Sequence, residues 1–132
     1  MMQILQPNGW ARPRGYSNGI AVKGGKTVYI AGQVGWTGDG TFAEKTFGGQ
    51  FRQALANVLA VLGEAGGRPE HIVRMTWYVL DRNEYMGALK EVGAAWRELI
   101  GKHYPAMTVV EVTGLVEREA RLEIEATAAI PD

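Results

Sequence analysis

The chain has 132 residues, with 14 basic and 14 acidic side chains and so no formal net charge. That balance argues against binding a phosphate backbone, and a 46% hydrophobic, 21% charged composition argues against disorder. With no cysteine, disulfides, thiolate nucleophiles and cysteine-ligated zinc are excluded.

The length fits one domain, residues 1–132, able to bury a real core. No apolar run approaches the ~18 residues of a membrane span, and no signal peptide is read at the N-terminus. The expected location is the cytoplasm.

Residues Met1 to Tyr16 carry Pro7, Gly9, Pro13 and Gly15 and read as an extended arm or loop. Gly19–Val22 and Thr27–Ala31 flank Gly24-Gly25, which predicts a β-hairpin. A glycine-rich loop runs from Gly32 to Gly40. Between Glu44 and Ala65, apolar residues from Phe47 and Phe51 to Leu59 and Leu62 recur at helical spacing. Gly66-Gly67 stops that helix, and Gly48-Gly49 delays its start.

Ile72–Leu80 is rich in β-branched and aromatic residues and predicts a strand. Asp81 to Glu84 resembles a capping box, with Glu84 reaching back, ahead of a second helix. Its apolar face is Tyr85, Leu89, Val92, Trp96 and Leu99, and Gly101 ends it. Strands at Ala106–Thr113 and Arg121–Ile130 follow. In the last, Leu122, Ile124, Ala126 and Ala128 alternate with Arg121, Glu123, Glu125 and Thr127. The order is ββαβαββ: an α+β fold with a mixed sheet and two helices on one face. The other face needs cover, and a second copy of so short a chain is the cheapest source, so a closed homo-oligomer is expected.

Neither GxGxxG nor GxxxxGK[ST] occurs, which removes the dinucleotide and P-loop readings. His71 and His103 are too few and too far apart for a metal set, so each takes a structural or surface role. Ser17, the one serine, lacks the GxSxG context of a hydrolase elbow.

An ordered set of segments resembles the RidA (YjgF, endoribonuclease L-PSP) family. Gly15-Tyr16-Ser17 is similar to the family's N-terminal motif, and Val28 to Val34 to its Ser-Gly-Gln strand end. Gln53 to Val58 with Gly66-Gly67 match the first helix and its stop, and Ile72 to Asp81 the next strand. Tyr104-Pro105-Ala106, Val110-Glu111-Val112 and Leu122 to Ala126 match the C-terminal signature. Each motif alone is weak, but the set spans nearly the whole chain.

The resemblance implies a chorismate-mutase-like (ferredoxin-like) fold and a homotrimer with clefts between subunits. It also implies cofactor-independent, metal-free hydrolysis of a reactive imine or enamine, a small molecule, to a carbonyl compound and ammonia. Neither nucleic acid nor membrane is an expected partner.

In the family an arginine after Pro-Ala clamps the substrate carboxylate and a glutamate on the last strand places water. Here the arginine's position is Met107, the serine before Gly-Gln is Ala31, and the asparagine of the second helix is Leu89. Tyr16, Gly32 and Glu123 remain. This is the pattern of an arginine-lacking branch, with a substrate not clamped in the usual way.

The catalytic candidates are therefore Glu123, to move protons, and Tyr16, to bond ligand or water. Ala31 and Gly32 bring backbone near a ligand. Met107 and Leu89 wall the cleft, Trp36 and Tyr78 widen it for a larger ligand, and Arg14 offers a charge from the arm. The bland readings stay beside these: a surface salt bridge for Glu123, packing for Tyr16, Met107 and the aromatics, and a solvated arm for Arg14. Two functions stay open, the imine deaminase and a non-catalytic small-ligand-binding or regulatory trimer. The ribonuclease of the family's older name finds no basic surplus and no histidine acid–base pair.

Overall fold

The computed structural model describes residues 2–132. The arm is not wholly irregular. Its first residues form β1 (Met2–Leu5), which pairs antiparallel with β2 (Gly19–Val22) as a separate two-stranded sheet.

The main sheet begins with β3 (Lys26–Val34), and the expected hairpin is not formed, because β3 pairs with the last strand instead of β2. Gly24 and Gly25 both have positive φ and turn the chain against the end of that last strand. A Cβ on Gly25 would lie 2.4 Å from the Ile130 carbonyl oxygen, so close approach, not a tight hairpin, is what requires glycine there.

Helix α1 (Phe47–Glu64) starts after Gly40 and the loop, where Thr46 accepts a hydrogen bond from the Gly49 N–H. It ends at Gly66, φ +80°, with Gly67 N–H donating to the Leu62 carbonyl. Phe51, Ala54, Leu55, Val58 and Leu62 on its apolar stripe are fully buried.

A short 3₁₀ turn (Pro69–His71) leads into β4 (Ile72–Val79). The expected second helix is broken in two at Ala88: α2 (Arg82–Gly87) and α3 (Leu89–Leu99). Asp81 caps α2 through the Asn83 and Glu84 N–H groups, but Glu84 does not reach back. Its carboxylate instead takes a two-pronged bond from Arg121. Strands β5 (Ala106–Glu111) and β6 (Leu122–Ile130) complete the sheet, in the order β3-β6-β4-β5, with only the β4–β5 pair parallel.

All three helices accompany one mixed sheet. Residues Met75 and Trp77 of β4, and Leu122, Ile124 and Ala126 of β6, meet α1 and α3 in a single core. The opposite face carries Arg74, Thr76, Tyr78, Glu123, Glu125 and Thr127, and beside them Tyr29 at 81% exposure. Among the described residues, no helix covers that face. Among the described residues, no helix is long and apolar enough to cross a membrane.

Both histidines are structural. His71 Nδ1 accepts the Arg68 N–H, and His103 Nε2 lies 2.6 Å from the Ile72 carbonyl oxygen. Asn57 donates to the carbonyls of Val34 and Trp36, fixing the exit of β3. Gln50, buried in α1, donates to Glu44 and Glu119 carbonyls and accepts the Arg121 N–H, joining the two loops at that end of the sheet.

Candidate functional site

The residues singled out by sequence gather in two places. The first is a cleft of about 560 Å³ on the helix side of the sheet, at the β5 edge. Arg14, Tyr16, Leu89 and Met107 all line it, although they are far apart in sequence. The arm is brought there by Ser17. Its hydroxyl donates to the Tyr104 carbonyl at 2.5 Å, and its N–H donates to the Pro105 carbonyl at 3.0 Å. Ser17 also bridges to Ala106, so Tyr16 is pinned at the mouth beside β5.

The cleft floor and walls are aromatic and aliphatic. Trp77 packs edge-on against Phe51 at 4.8 Å and against Tyr85 at 6.2 Å, and lies 5.9 Å from Trp96. Burial pushes the Tyr85 phenol above its ordinary pKa. Trp77 is 3% exposed, and its indole N–H meets no acceptor among the described residues. Such a buried orphan donor costs about 1–3 kcal/mol. No carboxylate lines this cleft, whereas two guanidinium groups do, Arg14 and Arg97.

The second place is the outer end of β6, on the opposite face of the sheet. Glu123 pairs in register with Tyr78 and Val34, while its neighbours Leu122 and Ile124 point into the core. In β3 the register shifts between Ile30 and Gln33, so Ala31 and Gly32 together stand opposite Glu125. This bulge frees their backbone from the regular ladder. The Glu123 side chain lies across Gly32: a Cβ there would stand 2.1 Å from Oε2. The bare backbone at Gly32 thus leaves room for the carboxylate in this position; a larger residue there would make Glu123 swing away.

The Glu123 carboxyl is held above the usual carboxylate range, first by burial and then by the negative charges of Glu125 and Glu117. Tyr78 is on this same face and donates to Glu125 at 3.0 Å, which raises its own pKa. Trp36 joins neither place. It packs on Phe42, 5.7 Å away, in a small cluster with Val34 and Ala120.

The face of α3 that lines the cleft extends beyond its apolar residues to a charge. Arg97, eight residues after Leu89, belongs to the cleft with Gly93 and Trp96, and the helical spacing Leu89, Gly93, Arg97 is the signal that could have found it. Among the described residues, no group of three or more acidic or histidine side chains is placed to hold a metal ion.

A four-stranded mixed sheet with its helices on one face places the chain in the chorismate-mutase-like α+β class. The family model for endoribonuclease L-PSP matches residues 10–130. The chain therefore belongs to the endoribonuclease L-PSP family, the RidA family. A RutC family protein of Pyrococcus horikoshii is 30% identical over 97% of this chain and 98% of its own. A 2-iminobutanoate/2-iminopropanoate deaminase of Mus musculus is 32% identical over 86% of this chain and 79% of its own. Among solved structures, a Rid family protein of Yersinia pestis superposes with a TM-score of 0.85 at 30% identity, covering 98% of both chains.

Proposed function

We propose that this protein is a cofactor-independent deaminase of a reactive imine or enamine, with its site completed between copies of the chain in a homotrimer. The observation that carries this reading is the division of the candidate residues. Tyr16 and Met107 border a cleft on the helix side of the sheet, and Glu123 with Gly32 lies on the other side. One chain cannot bring the two together across its own sheet. A neighbour packed on the uncovered face, against the β5 edge, can.

In that arrangement the substrate lies in the cleft and Glu123 of the adjoining copy faces its C=N bond. Water adds to the imine carbon as the Glu123 carboxylate takes one of its protons. The resulting carboxyl returns that proton to nitrogen to give a carbinolamine; the carboxylate then carries the carbinolamine's hydroxyl proton to the amine, the C–N bond breaks, and ammonia leaves as the carbonyl forms. The raised pKa of Glu123 suits it to both transfers. Two relatives that carry the name 2-iminobutanoate/2-iminopropanoate deaminase, at 32% and 28% identity, support this chemistry.

The test is the purified protein mixed with freshly generated 2-iminobutyrate and with larger aromatic imines. Accelerated loss of at least one, abolished in Glu123→Gln, is expected. Buffer-rate decay of all of them overturns the reading.

A second reading, a ligand-binding trimer without chemistry, is favoured by one observation: Ala31, Leu89 and Met107 are all uncharged where the family pattern is polar or charged. Under it, wild type leaves 2-iminobutyrate untouched, and only Met107→Arg gives turnover.

A further inference from the structure

We propose that the cleft at the β5 edge takes a carboxylate with a bulky, aromatic-sized body, and that Arg97 of α3 holds the carboxylate in place of an arginine at position 107. The inference rests on the same cleft as the proposed function but concerns what it binds, not whether it reacts.

The first support is the placing of Arg97. A Cβ built on Gly93 would lie 3.3 Å from Arg97 Nη1. The guanidinium therefore folds back one turn and rests over the bare backbone at Gly93, inside the cleft lining. A cation in the last turn of a helix is favoured by the terminal carbonyls. That does not explain a charge carried one turn away from them. Arg97 makes no ion pair or hydrogen bond among the described residues, whereas Arg52, Arg68 and Arg121 each hold a glutamate. Arg14, on the arm across the mouth, is equally unpaired. Two free guanidinium groups over a cleft without a carboxylate make an anion site, and the planar fork of either suits a carboxylate.

The second support is independent of charge. The indole N–H of Trp77, in the cleft lining, is buried without an acceptor among the described residues. That N–H lies beneath the lining surface, and what a ligand meets is the apolar wall above it. Between floor and rim the walls are Tyr85, Leu89, Val92, Trp96, Met107 and Val109, an apolar surface that rewards a ring more than a short chain. The volume of about 560 Å³ is in the range of pockets that enclose drug-sized ligands, about 300–1,000 Å³. A four-carbon imino acid leaves most of it unfilled. Met107 supplies flexible packing to a ring where an arginine would occupy the space.

Equilibrium binding tests this apart from catalysis. Phenylpyruvate, 2-oxobutyrate and the uncharged 1-phenylpropan-2-one are titrated by calorimetry into the assembled wild type and into Arg97→Met, Arg97→Lys and Glu123→Gln. Phenylpyruvate is expected to bind at least tenfold tighter than either other probe. Arg97→Met is expected to weaken phenylpyruvate at least tenfold while leaving the ketone unchanged, and Arg97→Lys to recover part of the loss.

Equal binding of phenylpyruvate and 2-oxobutyrate overturns the inference, and so does an Arg97→Met protein that binds phenylpyruvate like wild type. So does no detectable binding of phenylpyruvate. Arg97 is exposed and unpaired, so its variants fold, and circular dichroism checks this directly. If phenylpyruvate binds through Arg97 but no imine is turned over, the proposed function falls and this inference stands. If aromatic imines are turned over with a KM indifferent to Arg97→Met, the reverse holds.

Discussion

The β5 cleft and the β3–β6 edge differ in charge, shape and in what fixes them. The cleft is lined by two unpaired guanidinium groups and no acid, over a deep aromatic floor. The edge holds Glu123 within reach of the fields of Glu117 and Glu125, and the nearest arginine in sequence, Arg121, is already committed to Glu84. One region lacks an anion and the other is acidic around Glu123, and they lie on opposite faces of one sheet. A single chain cannot bring them face to face across its own sheet. The cleft is fixed by packing, through Trp77, Phe51 and Trp96. The edge is fixed by backbone, through the bulge and a glycine that leaves room for a carboxylate.

The largest effect expected from breaking this division is Glu123→Gln. It keeps the shape and removes the proton carrier, so turnover of a responsive imine should fall about 10²–10⁴-fold with phenylpyruvate affinity unchanged, as read by steady-state kinetics beside calorimetry. A parallel loss of both would mean the edge and the cleft are one binding unit. Next is Gln50→Leu, which strips the Glu44 and Glu119 carbonyls and the Arg121 N–H of their buried partner. A stability loss of about 3 kcal/mol is expected in urea unfolding, with ligand affinity at the distant cleft kept. Smaller again is Ser17→Ala. It releases one hydrogen bond to Tyr104, worth about 1 kcal/mol, and unpins Tyr16, so KM should rise while the unfolding midpoint falls by only about 3–5 °C.

How much of this was legible depends on the range of the interactions. Helix α1, its glycine stop and the alternation of β6 are written in local spacing, and so is the outward direction of Glu123. The break at Ala88 is not, because Tyr85 and Leu89 keep a helical interval across it. The pairing of β1 with β2, and of β3 with β6, is decided by contacts distant in sequence, so the arm read as a loop and Gly24-Gly25 as a hairpin. Trp36 carried no local sign of whether it would face a ligand or Phe42; the loop is closed by Gln50 and Asn57 from α1. Arg97 lies off the apolar face that local spacing picks out, and only the bare Gly93 four residues earlier marks where its head rests.

The smallest expected effect separates a working carboxyl from a structural one. Glu123 has a folded-state pKa raised above its unfolded value, so the folded protein binds its proton more tightly. Between those two values the folded state carries more protons than the unfolded one, and stability therefore falls as pH rises through that window. Above it the ionised carboxylate burdens the folded chain with burial and with repulsion from Glu125 and Glu117. Glu123→Gln removes that burden, so its Tm at pH 7 should lie slightly above that of wild type, and the difference should vanish below the unfolded pKa, near pH 4. A surface salt-bridge residue behaves oppositely, since removing it costs stability at neutral pH. Thermal melts of the two proteins at pH 4 and pH 7 decide the sign. A Glu123→Gln protein less stable at pH 7 would make Glu123 a partner in the fold, and the acidic edge would then owe its charge to architecture instead of chemistry.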